Sequence, residues 1–157
     1  MNRFPNLETK DLNGKAVRLP SDFSTEYTLL FIAYLQWQQR EVDSWIPFAE
    51  ELEATVPNLR YYELPVVGEM GFFGRKQLDF WMRTGIHDIE TRSRTLTLYI
   101  DRANFCRQLG IETEDNIAIL LLDKNHKTVW KEYGAFDISY AKSIRKLLVE
   151  HGAIQLK

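Results

Sequence analysis

The chain has 157 residues, 45% of them hydrophobic and 27% charged, with a formal net charge of −2. That suits one ordinary globular domain with a core of its own, and nothing in the charge balance favours nucleic acid as a partner. The longest apolar runs, such as residues 117–122, are far too short to cross a bilayer.

In chain order, Leu7–Leu19 holds two short alternating runs around Asn13-Gly14, a pair that predicts a β-hairpin with a two-residue turn. Thr28–Tyr34 is continuously apolar, as expected of a strand covered on both faces. From about Gln38 to Thr55, the spacing of Val42, Trp45, Phe48, Ala49 and Leu52 predicts a helix, with Pro47 as a place for a kink. Pro57-Asn58 ends it, and 59–67 reads as a second strand.

After the glycine-flanked Met70–Gly74, residues 73–84 read as a helix stopped by Gly85. Arg94–Ile100 alternates like a strand. Asp101 then caps a short helix that Gly110 ends. Residues 117–122 form a buried strand, the DKNHK turn leads to a partner strand around Thr128–Glu132, and Ile138, Ala141, Ile144, Leu147 and Leu148 mark a last helix starting near Asp137 or Ser139. No repeat or flexible linker interrupts the series, so residues 1–157 read as a single domain. Its fold class is α/β, with a mixed central sheet between helix layers.

The chemistry-bearing residues are few. Cys106 is the one cysteine, so no intrachain disulfide forms. His87, His126 and His151 lie far apart without ligand spacing, so neither a metal nor another cofactor is expected. The N-terminal MNRFPN lacks a secretory pattern, which points to an intracellular, cytoplasmic protein.

The segments FPNLETKDLNGKAVRLP, LLFIAYLQWQQR and IAILLLDKNHKTVW resemble the N-terminal hairpin, the active-site turn and the last hairpin of the redoxin branch of the thioredoxin-like superfamily. His126 stands where that hairpin usually has glycine. The resemblance implies a thioredoxin-like three-layer sandwich with an N-terminal β-hairpin. It also aligns Gln36 and Gln39 with the two cysteines of the usual site, and Ile117 with its cis-proline. A glutamine amide cannot become a thiolate. A non-proline cis peptide costs about 2.5–4 kcal/mol, so an ordinary trans bond is expected before Ile117. A narrower likeness, in Asp43–Phe48, RTLTLYIDRANF and LLDKNHKTVW, is to the mitochondrial ATP-synthase assembly factor family and its bacterial relatives. It implies a cysteine-less assembly factor acting on a hydrophobic subunit of a membrane complex.

Gln36, Trp37 and Gln39 are candidate partner-binding residues, because free backbone N–H groups at a strand-to-helix junction can donate to an anion or a peptide carbonyl. Trp37 supplies apolar contact area there, unless it folds back over the sheet edge. Phe72 and Phe73, followed by Arg75, Lys76 and Arg83, form a second candidate, for an apolar partner or peripheral membrane contact; burial on a helix face is the plainer account. Trp45 reads as core, Cys106 as packing, and the Glu112, Glu114 and Asp115 turn as a solvated surface. No catalytic residue emerges. The expectation is a redox-inactive accessory, assembly or chaperone-like binding protein and not an enzyme. The alternatives are a thiol oxidoreductase or peroxidase-like enzyme using Cys106, and a structural homo-oligomer.

Overall fold

The computed structural model describes residues 2–67 and 89–154, so the expected helix over 73–84 and the Phe72 and Phe73 candidates lie outside the described residues. The elements are β1 (Leu7–Asp11), β2 (Ala16–Leu19), β3 (Tyr27–Ala33), a 3-10 turn (Gln36–Gln38) and α1 (Gln39–Thr55). They continue with β4 (Leu59–Pro65), α2 (Ile89–Ser93), β5 (Leu96–Thr97), α3 (Arg102–Leu109), β6 (Ala118–Leu122), β7 (Thr128–Tyr133) and α4 (Ile138–Glu150).

A four-stranded sheet of order β4-β3-β6-β7 forms the centre, with β3 parallel to β4 and antiparallel to β6. The apolar run in β3 is continuous because both of its faces are covered. Leu29 and Phe31 point to one core with Val42, Trp45, Phe48 and Leu52 of α1 and Ala141, Ile144 and Leu148 of α4. Leu30 and Ile32 point to the other, with Phe4, Leu19, Phe23, Phe105 and Leu109. At the rate of roughly 1.5–3 kcal/mol for each fully buried large apolar side chain, these two cores drive the folding.

The hairpin differs from its expected form. Asp11 N–H donates to Lys15 O and Gly14 N–H to Asp11 O, so the loop is Leu12-Asn13-Gly14 with only Gly14 at positive φ (+85°). Asp11 explains the change: its Oδ1 accepts from the amides of Asn13 and Lys15 at 2.8 and 2.9 Å, which holds the wider loop. β5 is also shorter than the seven-residue alternation at 94–100. Its two residues pair with Lys10 and Asp11 of β1, while single bridges Glu63–Thr95 and Val66–Leu98 join it to β4. Thr95, Leu96, Thr97 and Leu98 are all buried, so this segment is enclosed on both faces as it links the two sheets.

Helix ends follow the sequence signals. Asp101 caps α3 through Asn104 N–H, Gly110 ends it in the left-handed region, and Asp137 caps α4 through Ser139 N–H. α1 runs unbroken through Pro47. His126 takes φ +63°, the conformation a glycine would adopt freely. The one cis peptide among the described residues is Leu19–Pro20, so Ile117 follows a trans bond, as expected.

Candidate functional site

The junction between β3 and α1 is built around a glutamine that sequence reasoning passed over. Gln38 is fully buried. Its Oε1 accepts from Tyr34 N–H at 2.7 Å and from Leu35 N–H at 3.2 Å, and its Nε2 donates to Glu114 O at 2.8 Å. Its own N–H donates to Leu35 O, and Gln39 N–H is shared between Gln36 O and Trp37 O. The amides of Tyr34, Leu35, Gln38 and Gln39 are taken up inside the turn, which narrows the expected row of free, outward N–H groups. One side chain satisfies the end of the strand and ties it to the loop before β6.

Outside this clamp stand Leu35 and Trp37, 50% and 47% exposed, with Gln36 exposed between them. Trp37 does not fold back to cover the sheet edge. Leu35, absent from the sequence-derived candidates, is as open as Trp37; its place one residue before Gln36 was the available signal. Gln39 turns the other way. It is half-buried, and its Nε2 donates to Asp43 Oδ1 at 2.9 Å and to Glu63 Oε1 at 3.3 Å. Of the three candidates here, the structure places Gln36 and Trp37 on one open surface and directs Gln39 inward.

Glu63 is a carboxylate on β4 only 7% exposed. Burial pushes its pKa above the ordinary glutamate value, and nearby Asp43 adds to this, while Gln39 and Arg94 pull it part of the way back. On the other flank, Glu41 Oε1 accepts from Ile117 N–H at 3.1 Å. A proline at 117 would have no N–H to give, so this bond belongs to the isoleucine. Trp45 Nε1 donates to Gly134 O at 2.9 Å, and Gly134 N–H donates to Ile117 O, which fastens α1, β6 and the end of β7 together.

Cys106 is far from the turn in sequence yet lies directly beneath it. Its Sγ is 3.6 Å from Oη of Tyr34, the residue that follows β3 by one position. The cysteine is 7% exposed in the core beside Phe105 and Leu109. Burial pushes the thiol pKa up, with the Tyr34 contact partly opposing it, so Cys106 is held as a neutral thiol at pH 7. Burial likewise drives the Tyr34 hydroxyl well above the ordinary tyrosine range.

No protein-family model matches the chain, and no curated protein does so either. Solved structures do. The crystal structure of the exposed lipoprotein thioredoxin Etrx1 of Streptococcus pneumoniae superposes with a TM-score of 0.63 at 16% identity, covering 93% of this chain and 99% of that one. The fold is thioredoxin-like.

A thiol:disulfide interchange protein from a Bacteroides species superposes with a TM-score of 0.59 at 17% identity, over 92% of this chain and 87% of its own. A thiol-disulfide oxidoreductase from Bacteroides fragilis gives 0.59 at 10% identity, over 93% and 99%. These neighbours overturn the expectation that the chain is not an enzyme. They show that this thioredoxin-like scaffold is one on which thiol-disulfide oxidoreductases are built, and the loss of two cysteines from one turn does not exclude enzymes from it. Nothing in the comparisons supports the narrower likeness to ATP-synthase assembly factors. No helix of the described residues is long and apolar enough to cross a membrane.

Proposed function

We propose that this thioredoxin-like chain is an accessory or assembly-type binding protein that holds a protein partner on the turn between β3 and α1. One observation carries the reading: Leu35 and Trp37 present half their surfaces to solvent from a turn whose backbone Gln38 clamps from within. Large apolar side chains held in one geometry lose little conformational freedom on association, and tryptophan is prominent among residues that dominate interfaces. The partner class proposed is a hydrophobic subunit of a membrane complex, and its support is the sequence resemblance of Asp43–Phe48, RTLTLYIDRANF and LLDKNHKTVW to assembly factors. In this reading the protein works inside the cell, where its single cysteine needs no oxidising compartment.

The test is site-specific photocrosslinking. A photoreactive side chain at Trp37 is expected to capture one protein reproducibly, and the same group at exposed Lys124, at the opposite end of β6, is not. Equal capture from both positions, or none from Trp37, overturns the proposal.

A second reading is a thiol oxidoreductase acting through Cys106, whose thiol lies 3.6 Å from Tyr34 Oη. It requires the core around the thiol to open, because the closed structure buries it and raises its pKa; once exposed, the Cys106 thiolate attacks a substrate disulfide, forms a mixed disulfide and releases the other sulfur as a thiol. Mass spectrometry after incubation with oxidised glutathione tests this. A glutathione adduct on Cys106 of the folded protein supports it, and an unmodified chain removes it.

A further inference from the structure

The turn that carries Leu35 and Trp37 does not stand alone. Gln38 Nε2 ties it to Glu114 O, so the loop at residues 112–116 borders the same face. That loop bears Glu112, Glu114 and Asp115; Glu41 of α1 stands beside its end, accepting from Ile117 N–H, and Asp43 lies across the turn beside Gln39 and Glu63. Against these five carboxylates stand the guanidinium groups of Arg40 and Arg102 and the ammonium of Lys131, which donates to Gly110 O two residues before Glu112. Arg102 is engaged with Glu114 at 3.4 Å, and Glu41 and Asp43 accept hydrogen bonds from Ile117 N–H and Gln39. Glu112 and Asp115 are both exposed, and neither makes an ion pair among the described residues.

From this we infer the chemistry of the occupant: a peptide segment with an apolar side chain flanked by lysine or arginine. The inference rests on the binding function proposed above and adds the charge of the partner. The apolar anchor covers Leu35 and Trp37, and the flanking cations meet Glu112 and Asp115. Complementary charge at an exposed rim steers encounter and rejects like-charged sequences more than it adds affinity. The preference is therefore one of sign, and it weakens with ionic strength.

Fluorescence anisotropy with three labelled peptides of about ten residues tests it. All three alternate leucine with a second residue, which is lysine, glutamine or glutamate. At low salt the lysine peptide is expected to bind at least tenfold tighter than the glutamate peptide, with glutamine between them and the gap closing in 0.5 M sodium chloride. Trp37→Ala should weaken all three. The double variant Glu112→Gln, Asp115→Asn should erase the ranking. Equal binding of all three peptides overturns the charge inference and leaves the binding reading standing. Absence of binding by any of them counts against both, and a ranking untouched by the double variant overturns the role of these two carboxylates.

Discussion

The amide of Ile117 donates to the carboxylate of Glu41 across 3.1 Å, joining the strand that enters β6 to the first turn of α1. This bond closes, from within the chain, a place where a proline would leave no donor at all. Removing the acceptor should leave a part-buried N–H without a partner, a cost of about 1–3 kcal/mol. Glu41→Ala is therefore expected to lower stability by about that amount in urea denaturation, whereas Glu41→Gln, which keeps a carbonyl oxygen, should recover most of it. Equal losses for both variants would place the effect elsewhere.

Gln38 and Gln36 lie two residues apart and should respond in opposite ways. Gln38→Leu strands the amides of Tyr34 and Leu35 and the carbonyl of Glu114, so a loss of about 3 kcal/mol is expected from several unmade hydrogen bonds. Gln36→Ala, on the open side, should stay within about 0.5 kcal/mol of the parent chain. Thermal and chemical denaturation of the two variants side by side measures the contrast.

Trp45 and Trp37 make a second such pair. Trp45 is fully buried, stacked on Tyr140 with ring centroids 5.9 Å apart, and bonded through Nε1 to Gly134 O. Its replacement by alanine should cost about 3–5 kcal/mol. Trp37→Ala should leave the midpoint of unfolding nearly unchanged and reduce partner capture.

Glu63 sets a pH dependence whose sign follows from burial. Its folded pKa is raised above the unfolded value, so the native state holds the proton more tightly. The stability this provides is fully present below the unfolded pKa and is lost as pH rises through the folded one. Glu63→Gln should flatten that decline and make the protein more stable at pH 7, by about 1.4 kcal/mol for each unit by which the glutamate is raised. Denaturation midpoints of parent and variant between pH 4 and 8 are the check. Curves that stay parallel throughout would show that Glu63 does not titrate differently on folding.

For Cys106, burial and a raised pKa together predict slow reaction with a thiol reagent at neutral pH until the chain unfolds. The labelling rate should rise with urea in step with unfolding. Tyr34→Phe, which removes the hydroxyl that partly stabilises the thiolate, should not accelerate it.

Much of the architecture was legible because periodicity reports burial. The unbroken apolar stretch of β3 and the helical spacing of Val42, Trp45, Phe48 and Leu52 each name the faces that the two cores cover. Asp101, Gly110 and Asp137 marked helix ends because capping is a local event. The site was harder to read. In the run Gln36-Trp37-Gln38-Gln39, three chemically identical amides have three different fates: open, fully buried and turned toward Glu63. Gln38 is held inside by two local bonds, from the amides of Tyr34 and Leu35, and by a long-range one to Glu114 O that no local pattern announces. The same holds for β5, where the alternation at 94–100 reads as one long strand. Its actual extent depends on two neighbours, β1 and β4, that lie distant in sequence.

β5 carries a consequence for how the molecule breathes. Among the described residues, its two-residue ladder to β1 and the bridges beside it join the β1-β2 ribbon to the central sheet, together with the Arg3–Lys127 bridge that ties the segment before β1 to the start of β7. So few rungs suit a cooperative boundary, with the ribbon and the β4-β3-β6-β7 sheet as separate opening units of unequal free energy. In amide hydrogen exchange, the protons of β1 and β2 would then be released together and earlier than those of Leu29–Ile32, with Leu98, bonded to Pro65 O, marking the seam between fast and slow.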